Sequence, residues 1–414
     1  PVFSGVFRVL HKPTAPTAVT TEISFLLYLF FIFSTERNLS TTMKLTFKNN
    51  ALLDGINIVQ KAVPSKTTMS ILECILIDAS GSEIKLTGND MELGIETKVE
   101  GAILERGKIA LDAKIFSDII RKLSSSDGEI TIESDNRLNT TISSSNSVFQ
   151  IQGRDGEEFS YLPYIEKDKS ITLSQFTLKE VIRQTLFSIS PNDSNKMMTG
   201  ELFEVAGNEL TVTSLDGHRI SIRKITLKEN YEANKVIVPG KTLNEISKIL
   251  SGDNESEVRI FFSQNHILFE FDETIVVSRL IEGEYFRISQ MLSSDYETKL
   301  TVNKREFLDC IERATILIRE NDKKPLILNI VDNSMELKLN SSFGSMNAEI
   351  SIHKTGKDIM IGFNPKFLID ALRVIDDEEI TLYMMNPKSP CFIKDEEERY
   401  IYLILPVNFN AASI

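Results

Sequence analysis

After residue 43 the sequence repeats one pattern three times, and this repeat limits the possible fold more than any other feature. In each copy an alternating strand is followed by an amphipathic helix, at residues 44–59, 171–186 and 300–314. The copies align on Leu45, Leu173 and Leu300, which are 128 and 127 residues apart. A repeat of this length can enclose its own core, so the pattern predicts three similar domains rather than the short units of a solenoid.

A second helix recurs inside each copy with nearly the same period. It has a lysine at the same place each time, at Lys114, Lys241 and Lys366. The remaining sequence alternates apolar and polar residues in the manner of strands, with Gly, Asn, Asp and Ser at the turns. Each copy is therefore predicted to be an α+β domain of two helices on one face of antiparallel sheet, with about eight strands. The predicted domains are 43–166, 167–294 and 295–409.

The two ends of the chain fall outside this repeat. Residues 23–33 form an apolar run of 11 residues, whereas a membrane-spanning helix needs about 20. We interpret Met43 as the natural start and residues 1–42 as an extension outside the fold, with a signal peptide or a membrane anchor as the alternatives. We expect deletion of 1–42 to leave folding and activity intact. Residues 410–414 are predicted to be a tail.

The cysteine and histidine patterns argue against a disulfide framework and a metal site. Cys74, Cys310 and Cys391 are far apart and form no C-x-x-C pair, which fits a reducing compartment. The four histidines show no metal-ligand spacing. We therefore predict no metal and no cofactor.

A hydrolase is the main enzymatic alternative, because His218 lies beside Asp216 and serines are plentiful. In a Ser-His-Asp triad the acid orients the histidine from a distant part of the chain, whereas residues 216–218 are typical of a turn between strands. The sequence contains no G-x-S-x-G, P-loop or H-E-x-x-H motif. We predict no catalytic residues. A non-enzymatic alternative is a multidomain adhesion or scaffold protein, which should ignore circular DNA.

Charge is divided unevenly between the predicted helices and the rest of the chain. The chain has 46 Lys and Arg against 59 Asp and Glu, a net charge of −13, which by itself argues against a nucleic-acid binder. The predicted helices carry +5 and the remainder −18, with the helices taken as 49–62, 112–122, 176–190, 240–250, 303–319 and 364–375. If the six helices share one surface, that surface is positive and suits a phosphate backbone. Ordinary solvated helix faces with mixed charge explain the count equally well.

Five stretches carry a resemblance to a known family, namely 86–93, 216–220, 236–241, 361–364 and 402–407. In this order, within a threefold repeat, they make residues 43–409 resemble the bacterial DNA polymerase III beta subunits, the sliding clamps. The resemblance implies that two chains join head to tail in a closed ring, with helices lining the hole and sheets forming the outer wall. It implies a cytoplasmic, non-catalytic processivity factor that encircles duplex DNA without reading its sequence.

The resemblance also implies contacts with DNA in the hole of the ring. Lys114, Arg121, Lys241 and Lys248 match basic positions of the family's lining helices, and Lys66 lies at a loop position that is usually Arg. Helix position and charge add Lys179, Arg183, Lys304, Arg305, Lys366 and Arg373. For each of these residues the alternative is an ordinary solvent-facing side chain.

The implied protein partners are the polymerase III alpha subunit, the clamp loader and repair proteins, whose short apolar peptides bind a groove between the second and third copies. The groove residues that match are Met198, Leu215, Gly217, His218, Arg219, Ile220, Met291, Leu403, Ile404, Leu405, Pro406 and Val407. The alternative is that residues 403–405 are only the last core strand. In the implied homodimer, Phe149 and Ile151 meet Ile316 and Leu317 of the neighbouring chain, with ordinary core positions as the alternative.

Several positions depart from the family pattern. The usual Phe-Pro-Asp-Tyr is replaced by residues 285–288, Tyr-Phe-Arg-Ile, so a groove proline is missing. Asn195, Gln290 and Asn408 stand where basic residues are expected, and Ser70 replaces a proline. These changes leave the predicted fold unaltered and make the peptide preference an open question. They also keep open a divergent second clamp that serves repair.

Overall fold

The computed structural model describes residues 41–123, 128–191, 195–292, 295–319 and 324–409. The described residues form six α-helices: α1 Asn49–Val59, α2 Ala113–Leu123, α3 Gln175–Thr185, α4 Gly240–Ile249, α5 Lys304–Thr315 and α6 Pro365–Val374. Each copy therefore has two helices, as predicted. None of these helices is both long and apolar enough to cross a membrane.

The strands of the first copy are β1 Thr41–Lys48, β2 Cys74–Asp78, β3 Ile84–Asn89, β4 Leu93–Val99, β5 Gly101–Glu105, β6 Lys108–Asp112, β7 Glu129–Asp135, β8 Asn139–Ser144, β9 Ser147–Gln152 and β10 Arg154–Asp155. Those of the second copy are β11 Ser170–Ser174, β12 Gly200–Leu215, β13 Arg219–Pro239, β14 Glu257–Phe262, β15 His266–Phe271 and β16 Thr274–Arg279. Those of the third copy are β17 Thr298–Asn303, β18 Leu326–Val331, β19 Ser334–Ser341, β20 Gly344–Ser351, β21 His353–Gly356, β22 Ile359–Phe363, β23 Glu379–Met384, β24 Cys391–Lys394 and β25 Tyr400–Ile404.

The predicted extension and tail fall almost entirely outside the described residues. Thr41 and Thr42 are the exceptions, because β1 begins two residues before the predicted start of the first domain. The tail at 410–414 also lies outside the described residues.

Side-chain caps explain where four of the helices begin. An oxygen of the residue preceding each of α2, α3, α5 and α6 accepts a hydrogen bond from a backbone N–H of the first turn; these residues are Asp112, Ser174, Asn303 and Asn364. Such a cap satisfies a donor that has no partner within the helix. Apolar side chains then recur along one face of each helix and pack on the sheets, as Phe116, Ile120 and Leu123 do in α2.

Three helices end three or more residues earlier than predicted. The prediction extended α3 to residue 190 and α1 to residue 62, but both end in short 3₁₀ turns, Leu186–Ser188 and Gln60–Ala62. The prediction extended α5 to residue 319, whereas the N–H groups of residues 316–318 each bond a carbonyl only three residues back. Tightening of the last turn is a common way to end a helix, and an amphipathic pattern continues through it.

The second copy has six strands rather than about eight. Its β12 and β13 are 16 and 21 residues long, so each continues through a stretch that is broken into separate strands in the other copies. Gly207 interrupts their pairing with a shift in register and a φ of +62°. A glycine adopts this left-handed conformation without the penalty a side chain would bring.

Antiparallel sheets cross both boundaries between copies. A nine-stranded sheet has the order β10-β6-β2-β3-β4-β16-β15-β14-β11, and a seven-stranded sheet has the order β12-β13-β25-β24-β23-β17-β21. The first copy alone forms β5-β1-β7-β8-β9, and the third alone forms β20-β19-β18-β22. We call the β4–β16 pair the first junction and the β13–β25 pair the second junction. The copies are therefore joined by backbone hydrogen bonds as well as by side chains.

Candidate DNA-facing surface and partner groove

The two helices of each copy pack together, α1 with α2, α3 with α4 and α5 with α6. With the observed bounds the six helices contain 12 Lys or Arg and 8 Asp or Glu, a net charge of +4 compared with the predicted +5. The helical surface is therefore positive on a chain whose net charge is −13.

Four of the predicted DNA-binding cations are exposed and form no ion pair within the described residues: Lys66, Lys114, Arg305 and Lys366. Three of these lie in the first turn of a helix, and Lys66 lies in the loop that follows α1. Cations without a carboxylate partner lose no ion pair when they bind a phosphate, so these four are the most available for DNA.

Three other predicted cations pair with acids of the helical surface. Arg121 lies 3.2 Å from Asp118, Lys248 lies 2.7 Å from Glu245, and Arg373 lies 2.8 Å from Glu312. All three basic side chains are about half exposed. Exposed ion pairs contribute little to stability, so a phosphate can compete for these cations.

The remaining predicted cations hold parts of the chain together. Arg183 pairs with Glu180 of its own helix and with Asp376 of the third copy, at 2.5 and 3.1 Å. Lys241 of the second copy pairs with Asp90 of the first. The ammonium groups of Lys179 and Lys304 donate to carbonyls that end α4 and α6, at 3.0 and 2.7 Å. Apart from Glu180, which lies one helical turn before Arg183, these partners are distant along the chain, so the sequence pattern could not predict them.

A cleft of about 730 Å³ lies between α3 and α4. Apolar side chains such as Leu186 and Phe187 line it together with the basic residues Lys179, Arg183 and Lys241. It includes none of the residues predicted for the partner groove, and it belongs to the helical surface.

The second junction brings most of the predicted groove residues together. Ile220 of β13 pairs with Leu403 of β25, and the N–H of Leu405 donates to the carbonyl of His218 at 2.9 Å. On the face of this sheet away from the helices lies an apolar cluster shared by the two copies, which contains Leu202, Leu215, Ile220, Ile222, Ile237, Tyr285, Phe392, Ile401 and Leu403. The pairing of distant strands therefore creates one continuous apolar surface.

Several predicted groove residues lie on the open side of this cluster. Met291 is 49% exposed and Leu405 is 38% exposed. Gly217 and His218 are exposed, and Met198, Pro406 and Val407 are half-buried. An exposed apolar surface with flexible methionine side chains can fit varied apolar peptides.

Two predicted groove residues have other surroundings. Ile404 packs in the core of the third copy, because successive residues of a strand point to opposite faces. Arg219 is only 7% exposed and bonds Asp216, Asp370 and the carbonyl of Phe187. The structure therefore assigns Arg219 to the contact between the second and third copies.

Models of three domains of one family match consecutive parts of the chain. They are the N-terminal, central and C-terminal domains of the DNA polymerase III beta subunit, at residues 43–163, 172–286 and 289–408. A protein named "Beta sliding clamp" from Staphylococcus aureus strain Mu50 is 35% identical over 376 residues, which cover 88% of this chain and 99% of that protein. The chain belongs to the DNA polymerase III beta subunit family.

Solved structures of such clamps have the same three-domain fold. A structure from Eubacterium rectale assigned to the DNA polymerase III beta subunits is 65% identical with a TM-score of 0.87, and it aligns over 89% of this chain and 100% of that chain. The sliding clamp of Bacillus subtilis is 33% identical with a TM-score of 0.86 and the same coverage. The predicted clamp fold is therefore confirmed.

The predicted dimer residues of this clamp lie at the two ends of the chain's fold. Phe149 and Ile151 are on β9, the last strand of its sheet, where Phe149 is 36% exposed. Ile316 follows α5 and is 79% exposed, whereas Leu317 packs against the core of the third copy. Their contact with a second chain stays a prediction.

Sequence reasoning missed several residues beneath the predicted groove. Tyr285 is 3% exposed in the apolar cluster, with Met197, Phe286 and Ile288 packed beside it. It stands where the family pattern has phenylalanine, and its hydroxyl donates to the carbonyl of Thr213 at 3.4 Å. Burial raises the pKa of Tyr285, so the hydroxyl remains a neutral donor. The replacement of the family's phenylalanine by Tyr285 was the sequence signal that could have identified this residue.

Glu201 is a second missed residue and is fully buried in β12. Neither of its carboxylate oxygens has a hydrogen-bond partner among the described residues. Burial raises the pKa of the Glu201 carboxyl to about 8, because the charged form loses its hydration there. Its alternation with Leu202 resembles that of an exposed strand residue, which is why its burial could not be predicted from the sequence pattern.

Proposed function

We propose that two copies of this chain close head to tail into a ring around duplex DNA and act as the processivity factor of a replicative polymerase. The observation that carries the proposal is the way the copies are joined. At both junctions the strand that follows a tight hairpin in one copy pairs with the last long strand of the next copy. Each of these two strands has an equivalent without such a partner. In the third copy the strand after the hairpin is β20, and in the first copy the last long strand is β9; both lie at the edge of their sheets.

The register of the two junctions supports a third junction between chains. Leu93 pairs with Ser278 and Ile95 with Val276 at the first junction. At the second junction Arg219 and Ser221 pair with Ile404 and Tyr402 in the same arrangement. Because β4, β13 and β20 follow equivalent hairpins, the third junction places Met346 opposite Phe149 and Gly344 opposite Ile151. The sheets of five and four strands then join into one of nine, like the sheet of the first junction.

The apolar contacts of the second junction support the same dimer. The ring of Phe187, just after α3, lies 5.8 Å from that of Tyr402 in the next copy. Ile316 is equivalent to Phe187, because each lies 13 residues after the N-cap of its helix, Asn303 or Ser174. Phe149 is equivalent to Tyr402 in the register described above. A third junction therefore buries Ile316 against Phe149 and Ile151 of a second chain, with Leu317 beside it. An exposed strand edge and a 79% exposed isoleucine would otherwise stay open to unwanted association.

For DNA we propose weak contacts that do not depend on sequence. Lys66, Lys114, Arg305 and Lys366 have the best access to phosphates, and Arg121, Lys248 and Arg373 can exchange a carboxylate for a phosphate. Lys179, Arg183 and Lys241 contribute mainly positive potential. A closed ring retains DNA by topology, so modest attraction inside and an acidic exterior suit a protein that must slide.

We further propose that the apolar surface of the second junction binds short peptides of the polymerase III alpha subunit, the clamp loader and repair proteins. Its exposed Met291 and Leu405 and the half-buried Met198, Pro406 and Val407 support this role. The clamp then acts as an accessory subunit in the cytoplasm, without catalytic residues or a cofactor. Among the described residues no three His, Cys, Asp or Glu side chains are grouped as metal ligands would be.

The ring proposal is tested by measuring mass in solution and retention on DNA. We expect a dimer that, once loaded by a clamp loader, stays on nicked circular DNA and leaves the same DNA after linearisation. Equal retention on both DNAs, or a monomer at micromolar concentration, would contradict the ring. Replacing Lys66, Lys114, Arg305 and Lys366 by Ala should lower loading and leave the topological difference intact.

A clamp specialised for repair is the second candidate, favoured by the linker that carries Tyr285, Arg287 and Gln290 in place of the family pattern. Arg287 is 75% exposed beside the groove, so the linker offers a charge there and lacks the usual proline. A titration with peptides from the polymerase and from repair proteins separates the two candidates. Clear preference for the polymerase peptide supports the replicative role, and the reverse preference supports repair.

A further inference from the structure

The hairpin at the second junction makes a contact that goes beyond strand pairing. This hairpin, residues 216–219, lies against the first turn of α6 in the next copy. The ring of His218 meets the ring of Phe367 edge-on at 5.9 Å, and the Arg219 guanidinium lies 4.6 Å from the centre of the same ring. Arg219 then reaches Asp370, one turn further along α6, at 2.7 Å. The contact therefore combines an aromatic pair, His218 and Phe367, with an ion pair between Arg219 and Asp370.

Both halves of this contact have counterparts in the first and third copies, on the sides that have no neighbouring copy within the chain. The hairpin between β19 and β20 has Phe343 at the position equivalent to His218, and its ring is 54% exposed. The Arg319 guanidinium is stacked 4.4 Å from the centre of that ring. The other half has its counterpart on α2, which is equivalent to α6 when the two helices are aligned on Lys114 and Lys366. In this alignment Ile115 corresponds to Phe367, and Asp118 corresponds to Asp370. Ile115 is 50% exposed.

We propose that Phe343 of one chain docks on Ile115 of a second copy, with Arg319 facing Asp118 of that copy. The inference rests on the proposed ring, and it adds to the dimer a contact on the helical side of the paired strands. Two large apolar side chains, each about half exposed in the single chain, become buried against each other. The guanidinium meets a carboxylate that is 60% exposed.

The third junction obtains its cation from a different element than the second does. Gly344 occupies the position of Arg219 and has a φ of +150°, so this position supplies no side chain. Arg319, which follows α5, brings a guanidinium to the same hairpin. The first junction differs again, with Leu93 at that position and an ion pair between Asp90 and Lys241. The third junction would therefore pair a cation with an acid, as the second junction does, but would take the cation from the segment after α5 rather than from the hairpin.

A second copy is the occupant that the observations favour. Phe343 directly precedes β20 in the third copy, and Ile115 lies on α2 in the first copy, whose strand β9 the ring proposal pairs with β20. A peptide of another protein would account for one exposed residue but not for the match between the two ends. Binding of the clamp loader to Phe343 is the competing outcome.

Cross-linking between two different variants tests the contact directly. Chains carrying Ile115→Cys are mixed with chains carrying Phe343→Cys, exchanged through dissociation, and treated with a short bismaleimide. The native cysteines are buried, so untreated wild-type protein gives the background. We expect a covalent dimer only in the mixture, because each variant alone pairs its cysteine with a native side chain. Tyr164→Cys, at a 90% exposed position of the first linker, replaces Ile115→Cys in the control mixture and should give none.

Dimer dissociation constants supply the second measurement. Phe343→Ser should weaken the dimer by about tenfold or more, whereas Tyr164→Ser should have no effect. Phe343→Ala combined with Ile115→Ala should weaken the dimer less than the two separate effects predict, as expected for residues in contact. If the wild-type chain is a dimer but the mixture gives no cross-link, or Phe343→Ser leaves the dimer unchanged, this contact is refuted and the ring stands. If the wild-type chain is a monomer, the ring itself fails.

Discussion

The two junctions within the chain are built from equivalent strands, yet only one of them leaves an apolar surface open. In both, a linker crosses the outer face of the sheet after a buried aromatic residue, Phe159 in the first and Tyr285 in the second. Six residues later the first linker has Ile165, which is 5% exposed, and the second has Met291, which is 49% exposed. The predicted groove is therefore a place where the linker does not cover an apolar site that both junctions share.

A glycine explains how the first junction is closed. Leu162 of the first linker lies directly over Gly94, where a Cβ would come within 2.1 Å of its side chain. At the second junction the equivalent position is Ile220, whose side chain is part of the apolar cluster. A linker leucine can therefore approach the first sheet closely, whereas the second sheet has its own side chain there and its apolar surface stays partly uncovered.

The largest expected effect comes from removing the cation of the second junction. Arg219→Ala leaves Asp370 and the carbonyl of Phe187 without the partner they have in the structure. Breaking one side of a buried ion pair typically costs about 3–5 kcal/mol of unfolding free energy. Calorimetry should show a lower melting temperature, with unfolding of the third copy separating from that of the first two. A single transition at the wild-type temperature would mean that Arg219 does not hold the junction.

The next largest effect is expected from the buried carboxyl of Glu201, which should make stability depend on pH. The other two copies have apolar residues at the equivalent position. Ile75 and Leu326 occupy the equivalent place in β2 and β18, and both are fully buried. With a pKa of about 8 in the fold and 4.5 ordinarily, the folded chain keeps a proton that the unfolded chain releases. Stability should therefore fall as pH rises from about 4.5 to about 8, by up to about 1.4 kcal/mol per pH unit.

Glu201→Leu, which introduces the residue of the third copy, should remove this dependence on pH. We expect the variant to be more stable than wild type at pH 8 and to gain much less at pH 5, as measured by urea unfolding at both values. Glu201→Gln is the control that keeps the shape and removes the charge, and it should flatten the same slope. An equal gain at both pH values would show that packing rather than the proton is responsible.

The comparison of junctions also shows how far the sequence could predict this molecule. The period of the repeat predicted the two helices of each copy, because helices and core strands follow local periodicity. The family resemblance predicted residues 215–220 and 403–407 as neighbours, and β13 and β25 do pair there. The sequence could not predict that Arg219 bonds within the chain, because its partners Asp370 and Phe187 are 151 and 32 residues away. Nor could alternation reveal that Glu201 lies in the core.

Leu405→Ala should weaken peptide binding by about tenfold or more, since this 38% exposed side chain belongs to the open apolar surface. The dimer should remain intact, because Leu405 belongs to the second junction, whereas the ring proposal joins the two chains through β9 and β20. Fluorescence polarisation with a labelled clamp-binding peptide measures the affinity. Leu162→Ala, which alters the closed first junction, is the matched control and should leave the affinity unchanged. A similar loss in both variants would mean that the peptide does not distinguish the two junctions.

The smallest effect is expected at the ion pair of the first junction. Lys241 is 63% exposed, and its partner Asp90 also accepts hydrogen bonds from the N–H groups of Glu92 and Leu93. Lys241→Ala should therefore cost no more than about 1 kcal/mol of stability, in contrast to Arg219→Ala. Because the lysine also belongs to the positive helical surface, loading onto DNA should fall modestly and more clearly at low salt, where charges are less screened. A loss of stability as large as that of Arg219→Ala would show that both junctions depend equally on their ion pairs, and that the difference between them lies only in the linker.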